Sequence, residues 1–450
     1  MKNVLIIAYH FPPRGGIAVK RTLKFIKNLP LYGWNPIVLT TRQGLHEYKM
    51  LDETLLDELP DDLCIYRTEH FRKRLFLKKQ VKKIFAVKNA SGVPKKISKK
   101  KIIDIQEGGL KNFLISTGAY FRPFIPDVES GWNPFAVKHG KEIIYKDRID
   151  ALYTTSPPHS TQLIGLALSK QTGLPWVADF RDDWITNPLF APTNRISAKL
   201  HTVLEERVVR KASKIVVTNR HTKESFLRKH PFCGEDKVVV IPNGYDLSDF
   251  AGIEEKMFPR FTIVHNGGLG TGLTARYFFS ALRALIDEHP EFGKDVEVRF
   301  AGGISKKDKK TVKDLELDNT VVVQRHMPYK DCIKQLVRSH LFLLFLTAEA
   351  GGSARTPAKL YDYIAAGRPV LGMIIEGDAA DKIREMHLGS VVHPSDVEGI
   401  KIELNKYYQK YKKSEKEYLK PVASPEEMLK YDQSTLTRQL ATLLSGENGH

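Results

Sequence analysis

At 450 residues, 42% hydrophobic and 27% charged, the chain is globular and too long for one ordinary core, so two domains of about 200 residues each are expected. Three widely spaced cysteines, Cys64, Cys233 and Cys332, exclude a disulfide framework and a zinc-ligand pattern, and no apolar run approaches the ~20 residues of a membrane span. A soluble or peripheral protein of a reducing compartment remains, and its formal net charge of +18 calls for anionic partners: nucleic acid, a membrane surface or phosphorylated substrates.

Val4 to Ala8 is a continuous apolar run, the pattern of a strand buried on both faces. A loop with Pro12, Pro13, Gly15 and Gly16 leads into a helix over about 18–31 and a strand at Ile37 to Leu39. This βαβ opening lacks the Gly-x-Gly-x-x-Gly spacing of a dinucleotide fold, which argues against a nicotinamide or flavin enzyme. Gly15 and Gly16 either let a ligand approach the backbone or serve a turn of positive φ.

Residues 70–103 contain no acid, and thirteen basic residues fall between Arg72 and Lys101. With Phe71, Leu75, Leu77, Val81, Ile84, Phe85 and Val87 among them, 71–88 suits an amphipathic helix with a cationic side. That is either an anchor on an anionic membrane or a solvated insertion. Nucleic-acid binding is not expected, because no binding module accompanies the charge. The aromatic stretch Phe113 to Trp132 either covers the core or lines an acceptor pocket.

Strands at Ile149 to Thr154 and Trp176 to Ala178 run into Thr155-Ser156-Pro157-Pro158-His159 and Asp179-Phe180-Arg181-Asp182-Asp183-Trp184. A parallel sheet would gather His159, Asp179, Arg181 and Asp182 on one edge, where they could transfer protons or stabilise developing positive charge. The alternatives are a helix-start histidine and an arginine paired with a neighbouring aspartate. A helix over 195–212 carries Ile196, Leu200, Val203, Leu204 and Val208 on one side. Strands Ile215 to Thr218 and Val238 to Ile241 follow, and Pro242-Asn243-Gly244 reads as the hinge before a second α/β series.

That series opens with Phe261 to His265, a glycine loop beginning Gly267-Gly268, and a helix over about 274–288. Such a unit offers backbone N–H groups to a phosphate. Strands at 296–301 and 320–323 continue the sheet. The most informative stretch is 341–375: a buried strand, Leu341 to Leu346, a small-residue loop, a helix punctuated by Thr356, Pro357 and Gly367, and a strand from Val370. Lys359 sits in the first turn, where the helix dipole disfavours a cation by roughly 0.3–1 kcal/mol unless an anion offsets it. A nucleotide diphosphate is such an anion, and Asp362, one turn on, would accept ribose hydroxyls. The alternative is a solvated Lys–Asp pair. A last strand, Gly389 to His393, and helices at about 396–412 and 426–444 close the chain.

The stretch 341–375 resembles the donor-site motif of glycosyltransferase family 4, as do Tyr9 to Thr40, the region around His159, and Glu205 to Phe250 with its Pro242-Asn243-Gly244. Of the two family glutamates eight residues apart, the second falls on Asp362 and the first on Ala354; Glu349 either replaces it or is a surface acid. The Arg and Lys common in the family's glycine loop are replaced by Gly268 and Leu273, so Arg276 or Arg355 would have to supply that charge beside Lys359 and Leu360. Gly15 and Gly16 fall beside donor diphosphate and acceptor, His159 at the donor sugar, and His326 and Met327 where the family's backbone holds the nucleobase.

The resemblance implies a GT-B α/β architecture, two Rossmann-like doubly wound domains facing across a cleft. The domains would be residues 1–243 with the basic insertion 70–103 for the acceptor, 244–425 for the nucleotide sugar, and a helix 426–450 crossing back. It further implies a glycosyltransferase moving a hexose-type sugar, with retention and without metal or other cofactor. The acceptor would be a saccharide or polyprenyl-linked acceptor in surface polysaccharide or glycoconjugate synthesis. A cytoplasmic protein is expected, peripheral at the inner face of the plasma membrane if residues 72–101 bind it. A non-catalytic scaffold, or a sugar-nucleotide epimerase or hydrolase on the same fold, are the alternatives.

Overall fold

The computed structural model describes residues 1–42, 51–71, 102–104, 125–186, 194–270, 272–324, 327–348, 355–413 and 423–446. The basic segment 72–101, Glu349, Ala354 and His326 lie outside the described residues. The chain forms two compact units, one of Met1–Thr218, Lys223–Ile241 and Thr437–His450, the other of Asn219–Thr222 and Pro242–Leu436.

The first unit holds β1 (Lys2–Ile7), β2 (Trp34–Thr41), β3 (Cys64–Thr68), β4 (Ile102–Asp104), β5 (Ala151–Ser156), β6 (Trp176–Phe180), β7 (Lys214–Val217) and β8 (Val238–Val240). They pair in the order β4-β3-β2-β1-β5-β6-β7-β8, all parallel. Parallel strands with helices on both faces must be apolar throughout, and Val4 to Ile7 are wholly buried as that requires. The longer helices are α1 (Ile17–Asn28), α2 (Asn133–Lys146), α3 (Ser160–Thr172), α4 (Arg195–Lys211) and α5 (Arg220–Lys229). Packing of α3 on the sheet needs Gly165, where a Cβ would come within 2.4 Å of the Trp176 ring.

The helix α4 does not turn its aliphatic side inward. His201, Glu205, Val208 and Val209 are buried, whereas Ile196, Leu200 and Val203 are exposed. The cause is a polar network. Trp184 Nε1 donates to His201 Nδ1 at 2.9 Å, and Glu205 Oε1 receives Lys229 Nζ at 3.0 Å with His230 Nε2 at 2.7 Å. Buried polar partners of this kind fix the rotation of a helix, because leaving any of them unpaired costs more than exposing a methyl group.

The second unit holds β9 (Phe261–Asn266), β10 (Val296–Ala301), β11 (Val321–Gln324), β12 (Leu341–Leu346), β13 (Val370–Ile374) and β14 (Gly389–Val392), in the order β11-β10-β9-β12-β13-β14. Its pairings are parallel as well. The longer helices are α6 (Arg276–Glu288), α7 (Lys306–Asp314), α8 (Tyr329–Val337), α9 (Lys359–Ala366), α10 (Asp378–Glu385) and α11 (Val397–Lys412). In place of one helix over 426–444 there are two, α12 (Pro425–Leu429) and α13 (Gln433–Leu444). Between them the backbone pairs with the chain after Pro242. Tyr245 N donates to Tyr431 O at 3.1 Å and Gln433 N to Tyr245 O at 2.9 Å. A Cβ on Gly244 would lie 2.4 Å from Tyr431 O, so this glycine serves a close backbone approach.

Candidate functional site

In the second sheet β9 is flanked by β10 and β12, so the chain leaves β9 and β12 in opposite directions. Loops that diverge at such a switch point open a ligand crevice at the carboxyl edge. One of them is Gly267-Gly268, held against the loop after β10: Gly267 N donates to Ala301 O at 2.6 Å and Leu269 N to Gly303 O at 3.1 Å. A Cβ on Gly302 would lie 2.5 Å from Gly268 N, and one on Gly268 would lie 2.8 Å from Gly302 O. Both Gly267 and Gly268 are exposed.

The other side of the switch point carries Lys359. Helix α9 begins at this residue rather than at Pro357, and Thr356 is not its cap: the Thr356 hydroxyl is bonded to Asp378, and no side chain caps the helix. Lys359 is thus the first helical residue. Its Nζ donates to His265 Nε2 at 3.0 Å, and a Cβ on Gly267, whose φ is +92°, would stand 3.1 Å from the same atom. His265 is wholly buried on β9, and its Nδ1 donates to Leu343 O at 2.9 Å. That carbonyl can only accept, which leaves Nε2 as the acceptor for lysine. Burial, and next the charge of Arg355, push Lys359 down to about 7. Burial and Lys359 in turn hold His265 well below the usual imidazole range.

Asp362 lies beneath Tyr329, whose hydroxyl is 2.9 Å from Asp362 Oδ1 and 3.1 Å from Asp249 Oδ2. One phenolic proton therefore stands between two carboxylates. Burial, Asp362 and Asp249 together push Tyr329 well above its ordinary range.

The remaining expected donor residues are placed less uniformly. Arg355 is half-buried and near enough to Lys359 to act on its charge. The Arg276 guanidinium instead lies over the Tyr277 ring, 4.4 Å from its centroid, and bonds its hydroxyl. The Leu360 side chain is fully buried in the core and its amide donates to Pro357 O at 2.9 Å, so neither points to the glycine loop. Met327 is half-buried, with its carbonyl 3.9 Å from Cys332 Sγ.

In the first unit the switch point lies at β1 and β5. Gly15 is buried, and Gly16 precedes α1 with φ 105°, a conformation reserved for glycine. His159 stands before α3 with its ring flat on Trp184, centroids 5.2 Å apart at 6°, and burial lowers it to about 3. It is neutral near pH 7.

Asp179 is entirely buried on β6 and receives Arg21 Nε at 2.9 Å, Tyr153 OH at 2.5 Å and Thr155 Oγ1 at 3.3 Å. Its carboxylate is occupied by protein groups. Arg181 has its guanidinium lowered by burial and sits 4.0 Å from the more open Asp182. Asp183 is tied to Lys229 at 2.8 Å and caps the amides of Ile185 and Thr186. Of the expected set, Arg181 and Asp182 are half-buried, and His159 offers a neutral ring.

Sequence reasoning missed His265, Tyr329, Asp249 and Arg21. His265 was legible as the last polar residue of an apolar strand that enters a glycine loop. The other three meet their partners across long separations and leave no local mark.

Two Rossmann-like units of parallel sheet and helix are the architecture of GT-B glycosyltransferases, and this chain has that fold. Within it, residues 136–244 match the model of the glycosyl transferase 4-like domain, in agreement with the resemblance read from the motifs. Among solved structures, a glycosyltransferase from Rickettsia africae aligns with TM-score 0.61 at 15% identity, covering 99% of this chain and 98% of the other. HepE of Anabaena, in complex with UDP and glucose, aligns with TM-score 0.60 at 14% identity over 98% of this chain and 99% of that one. The MnaA–UDP structure from S. aureus aligns with TM-score 0.52 at 13% identity over 99% and 96%. A search of curated proteins finds no match. No described helix is long and apolar enough to cross a membrane, and no cluster of His, Cys, Asp or Glu suited to a metal occurs among the described residues.

Proposed function

We propose that the protein is a glycosyltransferase that binds a nucleotide-diphosphate sugar in its second unit and passes the sugar to a saccharide or polyprenyl-linked acceptor. The observation that carries the reading is Lys359, a lysine at the first position of α9 whose Nζ lies 3.0 Å from a buried histidine and against Gly267. Burying a cation at the positive end of a helix dipole is unfavourable on both counts. A diphosphate removes both penalties, and the exposed, side-chain-free Gly267-Gly268 loop lets it approach the backbone closely. The bound UDP of two proteins that share this fold supports the same reading.

In this account Lys359, Arg355 and the start of α9 neutralise the departing nucleoside diphosphate, and Asp362, held by Tyr329, takes the ribose hydroxyls. The neutral His159 ring would accept or donate one hydrogen bond to the sugar, and Arg181 with Asp182 would orient it. Asp179 acts through Arg21 as scaffold. A hexose-type sugar, retention at the anomeric carbon, independence of metal and a role in surface polysaccharide synthesis are parts of the proposal that rest on the family resemblance. The domain plan rests on the Pro242-Asn243-Gly244 turn, the cytoplasmic setting on the cysteine usage, and the contact of residues 72–101 with the inner leaflet on their cationic, apolar-interleaved sequence.

The test is calorimetry with uridine, guanosine, adenosine and thymidine diphosphates, followed by a donor screen with lipid and free saccharide acceptors. Binding of one diphosphate that is lost in Lys359→Gln, with transfer only when acceptor is present, is the expected result. Conversion of the sugar nucleotide without acceptor would assign an epimerase or hydrolase instead. Binding of none would leave a scaffold.

A further inference from the structure

The outward face of α4 is the largest departure from the expected pattern. Its buried side is set by His201 and Glu205, and this forces Ile196, Leu200 and Val203 outward, 76%, 42% and 36% exposed. These three positions are spaced by four and three residues, so they form one stripe along the helix. Arg207 continues the same stripe by a further turn. Exposed Arg195, Lys199, Arg210 and Lys211 flank it. The one acid on this side, Glu206, is paired with Arg210 at 2.7 Å. At the far end the Arg210 guanidinium lies 3.8 Å from the centroid of Phe232, itself 42% exposed.

An aliphatic stripe bordered by cations, with lysine and arginine stems running along it, is the composition of a helix that lies in a lipid headgroup layer. A second copy of this chain is a poor occupant, since an isologous contact would set five cations against five on a chain that already carries +18. We propose that the outward face of α4 is a docking surface for anionic lipid bilayers, with Ile196, Leu200, Val203 and Phe232 entering the interface and Lys199, Arg207, Arg210 and Lys211 meeting lipid phosphates. The proposal is independent of the nucleotide-sugar reading and of residues 72–101.

Each cation near an anionic leaflet is worth about fivefold in partitioning, so a helix bearing several of them together with three aliphatic anchors is a strong contributor. The test is co-sedimentation of the full chain with phosphatidylcholine vesicles and with vesicles carrying about one-third phosphatidylglycerol, for wild type and four variants. The variants are I196S/L200S/V203S, K199E/R207E, both combined, and a deletion of 72–101. The first two should each lower partitioning onto anionic vesicles by tenfold or more at unchanged melting temperature, and the deletion of 72–101 should leave binding in place. Wild type should bind neutral vesicles weakly.

Partitioning unchanged by the α4 variants, or lost only on deleting 72–101, would overturn the proposal. So would equal binding to neutral and anionic vesicles, or a wild-type dimer that the serine variant turns into monomer. If the serine variant melts lower, K199E/R207E, which touches only exposed charges, carries the decision alone.

Discussion

Binding of a nucleoside diphosphate should take up a proton at Lys359. In the free protein burial, and next Arg355, hold this lysine at about 7 against an ordinary value of 10.5. A diphosphate beside the amine favours the charged form and restores a high value. At pH 8 a group with a value near 7 is about one-tenth protonated, so a ligand that demands the ammonium draws in about 0.9 proton per site. The sign follows from linkage. The bound-state value lies above the free one, so affinity is full below about pH 7 and falls as pH rises, by about tenfold per unit until the bound value is reached.

The assay is titration calorimetry at pH 8 in buffers of equal pH and different ionisation enthalpy, where the ligand's own terminal phosphate is already ionised. The slope of apparent enthalpy against buffer enthalpy counts the protons. Lys359→Gln should lose both the uptake and the pH dependence. Binding with no proton uptake in wild type, or uptake that survives Lys359→Gln, would refute the argument that this ammonium meets the phosphates.

Three further outcomes are expected. Tyr329→Phe removes the hydrogen bond that orients Asp362, a bond to a charged group worth about 1.5–3 kcal/mol, so nucleoside diphosphate affinity should fall tenfold or more while inorganic pyrophosphate, which lacks a ribose, binds as before. Asp179→Asn strips the buried partner from Arg21 and should cost about 3–5 kcal/mol in chemical denaturation, with kcat/KM per folded molecule retained; a loss of activity at full stability would place Asp179 in the chemistry instead. His159 is held at about 3 by burial and His340 at about 4 by burial and then Arg368, both below the unfolded 6.5, so the unfolded chain takes up protons first. Stability should be full above pH 6.5 and fall by about 1.4 kcal/mol per pH unit per histidine down to pH 4, and a melting temperature flat over that range would contradict both placements.

Most of the two sheets was legible because a parallel strand buried on both faces has nowhere to put a polar residue. The run Leu341–Leu346 coincides with β12 at both ends, and Val296–Ala301, whose half-buried Glu297 and Arg299 alternate with buried apolar residues, coincides with β10. The missed strands β3 and β4 are short and lie at one edge of their sheet, and the Cys-Ile-Tyr-Arg-Thr of β3 shows no continuous run. Helices α5, α7 and α10 were missed because each is short and strongly charged, whereas α2 and α8 carry apolar residues at helical spacing, Phe135, Ala136, Ile143 and Ile144 in one and Tyr329, Ile333, Leu336 and Val337 in the other, that sequence reasoning passed over. In the site, the lysine and the glycine loop could be found because helix punctuation and strand ends are local. The histidine beneath the lysine, and the tyrosine shared by two aspartates, depend on β9 meeting β12 and on α8 meeting the segment 247–250. No window of sequence contains such a meeting.

The helix α4 shows where periodicity misleads. Five apolar residues on one side of a helix normally identify its inward face, because each buried aliphatic side chain stabilises by about 1.5–3 kcal/mol. Here His201 and Glu205 outweigh three of them. The indole N–H of Trp184 and the His230 ring already lie inside the core, with half-buried Lys229 beside them, and the two buried groups need partners there. Rotating the helix to bury Ile196, Leu200 and Val203 would leave the buried Trp184 indole donor and the buried His230 ring without their partners on α4, a cost that the aliphatic gain does not offset. Apolar periodicity therefore reports an inward face only when the polar residues opposite it have no buried partners, and where they do, the same stripe becomes exposed surface that must meet something other than the protein's own core.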